Sequence, residues 1–185
     1  MKTAAIFLDR DGTLNPDPGY ISSPDDFKLF GDTLPALELL AQTGLPLVLI
    51  TNQSGVGRGI IEETALAKIH EKLDRALSQI GVVLTGKYYC PHLPEDDCHC
   101  RKPKSGLFKQ AEADYDIDLS ASYLIGDSLC DVNAAEAIGA YSILVRTGNG
   151  RKTEAKLDRD GVSVDFVGDT LVDCANHLLA LEGAE

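Results

Sequence analysis

The chain has 185 residues, 44% hydrophobic and 25% charged, enough to bury a core and of the size of one domain, 1–185. Its formal net charge of −12 excludes nucleic acid and anionic lipid as partners held by bulk attraction, because such partners are bound largely through Lys and Arg. Any anionic ligand must be met by a local cation or by a metal.

The first predicted element is a strand, "AAIFL" at 4–8, which runs into Asp9 and Asp11 of "DRDGT". This apolar run is too short for a signal-peptide core, and no later run approaches the ~18 residues of a membrane span, so a cytoplasmic location is expected. A helix follows at 33–43, then a strand "LPLVLI" at 45–50 leading into "TNQSG" at 51–55. Leu66, Ile69, Leu73, Leu77 and Ile80 recur at three and four within a helix over 62–80, giving it one apolar face. The strand "KYYC" at 87–90 opens into "PHLPEDDCHCRKP". A helix at 106–115, a strand at 122–126 ending in "GDSLCD", a helix at 130–138 and a strand at 141–146 come next. Residues 148–161 are polar enough to predict a long surface loop, ahead of a strand at 164–167 and a helix at 169–181.

Short apolar runs alternating with helical segments predict an α/β fold, a doubly wound, mostly parallel sheet covered on both faces. Ligands bind such sheets beyond the carboxyl ends of the strands, and each polar cluster in this chain follows a strand. Asp9 and Asp11 lie two apart, so extended backbone would put both on one face, where they repel unless a cation intervenes. Mg²⁺ suits them, with Asp127 as a third acidic group. For the pair alone a solvated turn is the alternative, and Asp127 at a matching strand end argues against it. Thr51 and the N–H groups of Asn52 to Gly55 could hold phosphate oxygens, and Arg101 and Lys102 are the local cations that the acidic charge demands. In a reducing compartment Cys90, His92, Cys98 and Cys100 form a complete Cys₃His set of the kind that closes around structural Zn²⁺. Cys130 and Cys174 read as small buried residues, and His70, His99 and His177 as outward-facing groups without chemistry.

Taken together and in order, "FLDRDGTLN", "TNQSG", "RKP" and "GDSLCD" resemble the four motifs of the haloacid dehalogenase (HAD) superfamily of phosphatases. The added Cys-x-His and Cys-x-Cys pairs resemble its histidinol-phosphatase-like branch, and most of all the D-glycero-D-manno-heptose 1,7-bisphosphate 7-phosphatases. The resemblance implies an HAD-like fold with Asp9 as nucleophile, Asp11 as general acid and base, and Thr51 and Lys102 stabilising the phosphoryl group. It also implies Mg²⁺ held by Asp9, the Asp11 backbone and Asp127. Substrate contacts would come from Asp17, Gly19, Tyr20, Asn52, Gln53, Ser54 and Arg101. The implied activity is removal of a sugar 7-phosphate in heptose precursor synthesis for lipopolysaccharide, by a monomer without nucleic-acid or membrane partners.

Two features depart from that pattern. The spacing from His92 to Cys98 is short, and Ser128 stands where a Lys is common. No insertion is long enough for a separate cap domain, so the zinc-binding loop is expected to serve as a partial lid. Histidinol phosphate is the alternative substrate, and the anomer at carbon 1 is left open. A phosphoreceiver domain would share the acidic pocket, Thr and Lys but has no use for a zinc loop. A zinc-knuckle nucleic-acid binder is at odds with "EDD" and the net charge.

Overall fold

The structure, a computed structural model, describes residues 2–183. Its centre is a six-stranded parallel sheet in the order β3-β2-β1-β4-β5-β6. The strands are β1 (Ile6–Leu8), β2 (Leu47–Asn52), β3 (Gly86–Cys90), β4 (Tyr123–Gly126), β5 (Tyr141–Val145) and β6 (Phe166–Gly168). The chain winds outward from β1 to β3, then returns beside β1 as β4 and winds the other way. Strand order therefore reverses between β1 and β4, where a doubly wound sheet leaves its crevice.

Alternation along each strand divides the core in two, because successive side chains point to opposite faces. Ile6, Leu8, Leu47, Leu49, Ile125, Ile143 and Val145 face a layer made of α1 (Thr33–Ala41), α3 (Glu63–Ser78) and α7 (Leu171–Glu182). Phe7, Val48, Ile50 and Leu124 face α4 (Gly106–Tyr115) and α5 (Leu129–Ile138), with Phe7 and Phe108 edge to face at 5.1 Å. Burial on both sides explains why the inner strands read as near-continuous apolar runs.

The segment 148–161, expected as a loop, instead carries the helix α6 (Gly150–Asp160), which ends at Gly161 in the left-handed region (φ +68°). Its residues are mostly good helix formers, and its buried positions, Gly150, Thr153 and Leu157, return at three and four. With Leu157 as the one large apolar side chain among them, packed with Val132 and Leu144, apolar periodicity had almost nothing to register. A single helical turn, α2 (Ser54–Gly57), follows β2. His70 is a second correction: it lies four residues after Leu66 and three before Leu73, and α3 buries it with that stripe at 8% exposure. His177 is half-buried, stacked on Phe166 at 3.7 Å, and Cys130 is half-buried rather than enclosed. Cys174 is buried and His99 exposed, as expected.

Candidate active site

Parallel strands put all their carboxyl ends on one edge, and the loops leaving that edge enclose a cavity of about 350 Å³. Asp9, Asp11, Asp17, Gly19, Tyr20, Thr51, Asn52, Gln53, Ser54, Arg101, Lys102 and Asp127 all line it, so every residue singled out for phosphoryl or substrate contact comes to one place. Gly55, Ser128, Cys130 and Asn149 complete the wall.

Lys102 is the pivot. The residue is 3% exposed, and its ammonium donates to Asp9 Oδ1 at 2.7 Å, Asp131 Oδ1 at 2.6 Å and the Ile50 carbonyl at 2.8 Å. Burial works against the charge, but Asp131 and Asp9 outweigh it and hold the Lys102 pKa above the ordinary lysine value. Asn52 fixes the backbone beneath, accepting from the Lys102 N–H at 3.0 Å and donating to its carbonyl at 3.2 Å. The side-chain amide of Asn52 is thus engaged with Lys102 as well as lining the cavity.

Asp131, which ends "GDSLCD", joins the site although its position in the sequence marks no role for it. One oxygen meets Lys102, and the other accepts from the N–H of Ser128 at 3.0 Å and its hydroxyl at 2.5 Å, as a reciprocal cap on α5. The signal that could have found it is this Ser-x-x-Asp spacing directly after a strand.

Asp127 is held differently. Its Oδ2 accepts from the Asn149 N–H at 2.6 Å, and its carbonyl accepts from the Thr153 hydroxyl at 2.9 Å. Gly12 (φ +89°) and Gly148 (φ +50°) press against it so closely that a Cβ on either would come within 2.2 and 2.3 Å of Asp127 Oδ2. Thr147 Oγ1 ties the two loops by donating to the Gly12 carbonyl at 2.7 Å.

Asp9, Asp127 and Asp131 bring one carboxylate oxygen apiece within 4.8 Å of one another. Lys102 offsets only part of that charge. Burial pushes Asp9 up to about 8, with Lys102 opposing and Asp131 and Asp127 adding to it, and pushes Asp127 up to about 7 against the Asn149 N–H. When all three acidic groups are ionised, one ammonium leaves two negative charges uncompensated, which is the charge of one divalent cation, and without a cation burial favours their protonation. Asp131 already spends both oxygens on protein donors, so Asp9 and Asp127 are the side chains with capacity left for an ion.

The Asp11 side chain lies apart from that trio. Burial pushes its pKa up, yet Arg10, Asn15 and Gln53 outweigh this and hold the carboxyl below the ordinary range. Arg10 Nε and Nη2 donate to it at 3.0 and 2.8 Å, Asn15 Nδ2 at 2.8 Å and Gln53 Nε2 at 2.7 Å. Gln53 Nε2 also donates to Thr51 Oγ1 at 3.0 Å, which leaves the Thr51 hydroxyl proton free to point into the cavity. Arg10 and Asn15, both fully buried, were not singled out from the sequence.

At the rim, Asp17 Oδ1 accepts from the Gly19 N–H at 2.8 Å, closing the turn that presents Tyr20 at 43% exposure. Opposite stands the cysteine-rich loop. Cys90 ends β3, and Cys90 to Cys98, Cys90 to Cys100 and Cys98 to Cys100 are 3.6, 3.1 and 3.5 Å apart between sulfurs. His92 Nδ1 lies 3.6 Å from Cys90 Sγ and 3.1 Å from Cys100 Sγ. Four ligands at about 2.1–2.3 Å from a tetrahedral Zn²⁺ stand about 3.5–3.8 Å from one another. The soft donor set fits that ion, and so do the spacings of Cys90 to Cys98, Cys98 to Cys100 and Cys90 to His92, while Cys100 lies closer to Cys90 and His92 than a bound ion would set it. The loop is docked by the N–H groups of Gln53 and Gly57, which donate to the Cys90 and Pro91 carbonyls at 2.7 and 2.9 Å. Arg101, which follows the last cysteine, donates to the His92 carbonyl at 3.3 Å.

An HAD-hydrolase-like family model matches residues 99–174. A D-glycero-beta-D-manno-heptose-1,7-bisphosphate 7-phosphatase of Haemophilus ducreyi is 45% identical, over 96% of this chain and 100% of its own length. Another, from Bordetella bronchiseptica, is 44% identical over 82% of this chain and 85% of its length. The crystal structure of a D,D-heptose 1,7-bisphosphate phosphatase from B. bronchiseptica, complexed with magnesium and phosphate, superposes with a TM-score of 0.89 at 40% identity, covering 97% of this chain and 99% of that one. The corresponding enzyme from Burkholderia thailandensis gives 0.73 at 30% identity, over 96% and 99%. With relatives this similar along nearly its full length, the chain belongs to the HAD-like phosphatases, in the group of the heptose bisphosphate phosphatases, and is a phosphoric monoester hydrolase.

Proposed function

We propose that the chain removes the 7-phosphate of D-glycero-D-manno-heptose 1,7-bisphosphate through an aspartyl phosphate on Asp9. The observation that carries this reading is the meeting of Asp9, Asp11, Thr51, Lys102 and Asp127 with Asp17, Tyr20 and Arg101 around one cavity. The names of the H. ducreyi and B. bronchiseptica relatives support the β anomer at carbon 1.

Asp9 and Asp127, with the backbone carbonyl of Asp11, would hold Mg²⁺, which when bound supplies charge neutralisation for the phosphoryl oxygens. The Thr51 hydroxyl would donate to the same oxygens, while Lys102, whose three N–H groups are taken by Asp9, Asp131 and the Ile50 carbonyl, would act on them through its charge and by holding Asp9 in place. An Asp9 carboxylate oxygen attacks phosphorus, and the bond to the sugar oxygen breaks with its electron pair on that oxygen, which takes a proton from Asp11. The resting Asp11 is held as a carboxylate by Arg10, and an incoming phosphoryl dianion favours its protonation. Water then attacks phosphorus while Asp11 takes its proton, and the bond to Asp9 breaks to return the free carboxylate. Tyr20, Asp17, Gly19, Ser54, Asn52 and Gln53 would shape the sugar side of the cavity, with Arg101 available to a second phosphate. Zn²⁺ on Cys90, His92, Cys98 and Cys100 would keep the loop that carries Arg101 and Lys102 folded. The reducing cytoplasm suits this thiol set.

The test is a panel of sugar mono- and bisphosphates and histidinol phosphate, assayed with Mg²⁺. Phosphate release should be fastest from the heptose bisphosphate, leaving the 1-phosphate as product. Preference for histidinol phosphate, or release of the 1-phosphate, would sink the reading.

A further inference from the structure

One buried titratable group near the cavity is left without a part in the mechanism. His70, on α3, lines no wall of the site, yet its Nε2 stands 3.4 Å from Arg10 Nη1. Arg10 is fully buried, with its guanidinium carbon 5.8 Å from the centre of the Phe27 ring. A guanidinium withdrawn from water needs acceptors around its plane. Asp11 takes the Nε and Nη2 side of that plane, and His70 meets the Nη1 group on the other side. Burial, then Arg10 and Lys87, push His70 down to about 4, so the ring is neutral near pH 7; because a guanidinium only donates, Nε2 meets it as an acceptor in the tautomer that carries its proton on Nδ1. Tyr89 flanks the ring at 6.3 Å.

We propose that His70 is a positioning residue for Asp11, acting through Arg10: it fixes the rotation of the guanidinium whose fork holds the Asp11 carboxylate in the conformer that deprotonates water. This rests on the reading of Asp11 as acid and base. In the affected step the water oxygen bonds to phosphorus, its proton goes to Asp11, and the bond to Asp9 breaks with the electron pair returning to that carboxylate. Asn15 and Gln53 still hold Asp11 when His70 is lost, so the effect is graded.

The experiment uses the full chain with Mg²⁺ and p-nitrophenyl phosphate, whose leaving group departs without a proton and so isolates the water step. His70→Leu should lower kcat about tenfold and KM in parallel, keep kcat/KM within about twofold, and release a burst of nitrophenolate equal to the enzyme concentration. His70→Gln, which keeps an acceptor, should recover kcat to within about threefold of the parent. The proposal is overturned by an unchanged kcat in His70→Leu, by equal losses of kcat and kcat/KM without a burst, or by a His70→Gln as slow as His70→Leu. Asp11→Asn runs alongside: a burst without turnover supports the acid–base reading, whereas sustained turnover would remove that reading and the proposal with it.

Discussion

At the scale of single residues, the site is governed by charge held out of water. Lys102 lies between two carboxylates with almost no solvent contact, and removing one member of a buried ion pair typically costs about 3–5 kcal/mol because its partner is left unpaired. Lys102→Met should therefore be destabilised by about that amount in chelator, regain part of it when Mg²⁺ is added, and have no measurable turnover; urea unfolding with and without Mg²⁺ tests it. Asp9→Asn should lose turnover while keeping its melting temperature and bound zinc, and appreciable activity in that variant would remove Asp9 as the nucleophile. Gly148 makes a steric argument instead of an electrostatic one. Its left-handed backbone costs an L-residue about 1–2 kcal/mol, and an added Cβ would displace Asp127 Oδ2. Because that Cβ would also meet Gly12 Cα at 2.5 Å and the Gly12 carbonyl oxygen at 2.8 Å, Gly148→Ala should lose stability together with activity, the latter on the order of a hundredfold in kcat; a near-normal kcat would mean that Asp127 need not sit where it does.

Among elements, two that carry little apolar surface decide where functional groups end up. The cysteine-rich loop has only short 3₁₀ structure at Pro94–Asp96 between His92 and Cys98, so on the proposed reading its fold would depend on zinc. Cys98→Ser should release zinc, measured by a chromogenic chelator, and lower kcat at least tenfold through loss of Lys102 placement; unchanged kinetics in zinc-free protein would separate the loop from catalysis. The helix α6 hangs on Leu157, while its first turn reaches Asp127 through Asn149 and Thr153. Leu157→Ala should cost about 2–4 kcal/mol and lower kcat as well, because the anchor and the Asp127 contacts belong to one rigid segment. Retained kcat at full loss of stability would show that the two ends of α6 are independent.

For the whole molecule, the sign of the pH dependence follows from where burial has moved each group. His70 has an ordinary pKa near 6.5 when unfolded and about 4 when folded, from burial, Arg10 and Lys87, with Asp74 and Asp11 pulling the other way. Between these values the unfolded chain binds a proton that the folded chain refuses, so stability rises with pH across the window and is lost as pH falls toward 4. The His70 contribution to that loss between pH 7.5 and pH 5 is on the order of 2 kcal/mol. Comparing urea unfolding of the parent and His70→Gln at both pH values isolates it, since the other acidic groups are common to both chains. Equal losses in the two proteins would show that His70 is not held neutral by the fold.

Alternating apolar runs made the doubly wound sheet legible, because strands buried on both faces and amphipathic helices such as α3 leave their period in the residues themselves. The acidic pair after β1, Asp127 after β4, Lys102 and the Cys₃His cluster were legible for a related reason: their residue types are costly or scarce unless chemistry calls for them, and each follows a strand. What only the tertiary structure decided are the relations that carry no local signature. Asp131 answering Lys102, Asn52 clamping the Lys102 backbone, His70 reaching Arg10 across sixty positions and the packing of Gly148 on Asp127 all join segments far apart in the chain. A sequence records the period of each element and the chemistry of each side chain. Which buried donor meets which acceptor is fixed only when the sheet brings its loops to a common edge and the cost of an unpaired polar group selects the partner.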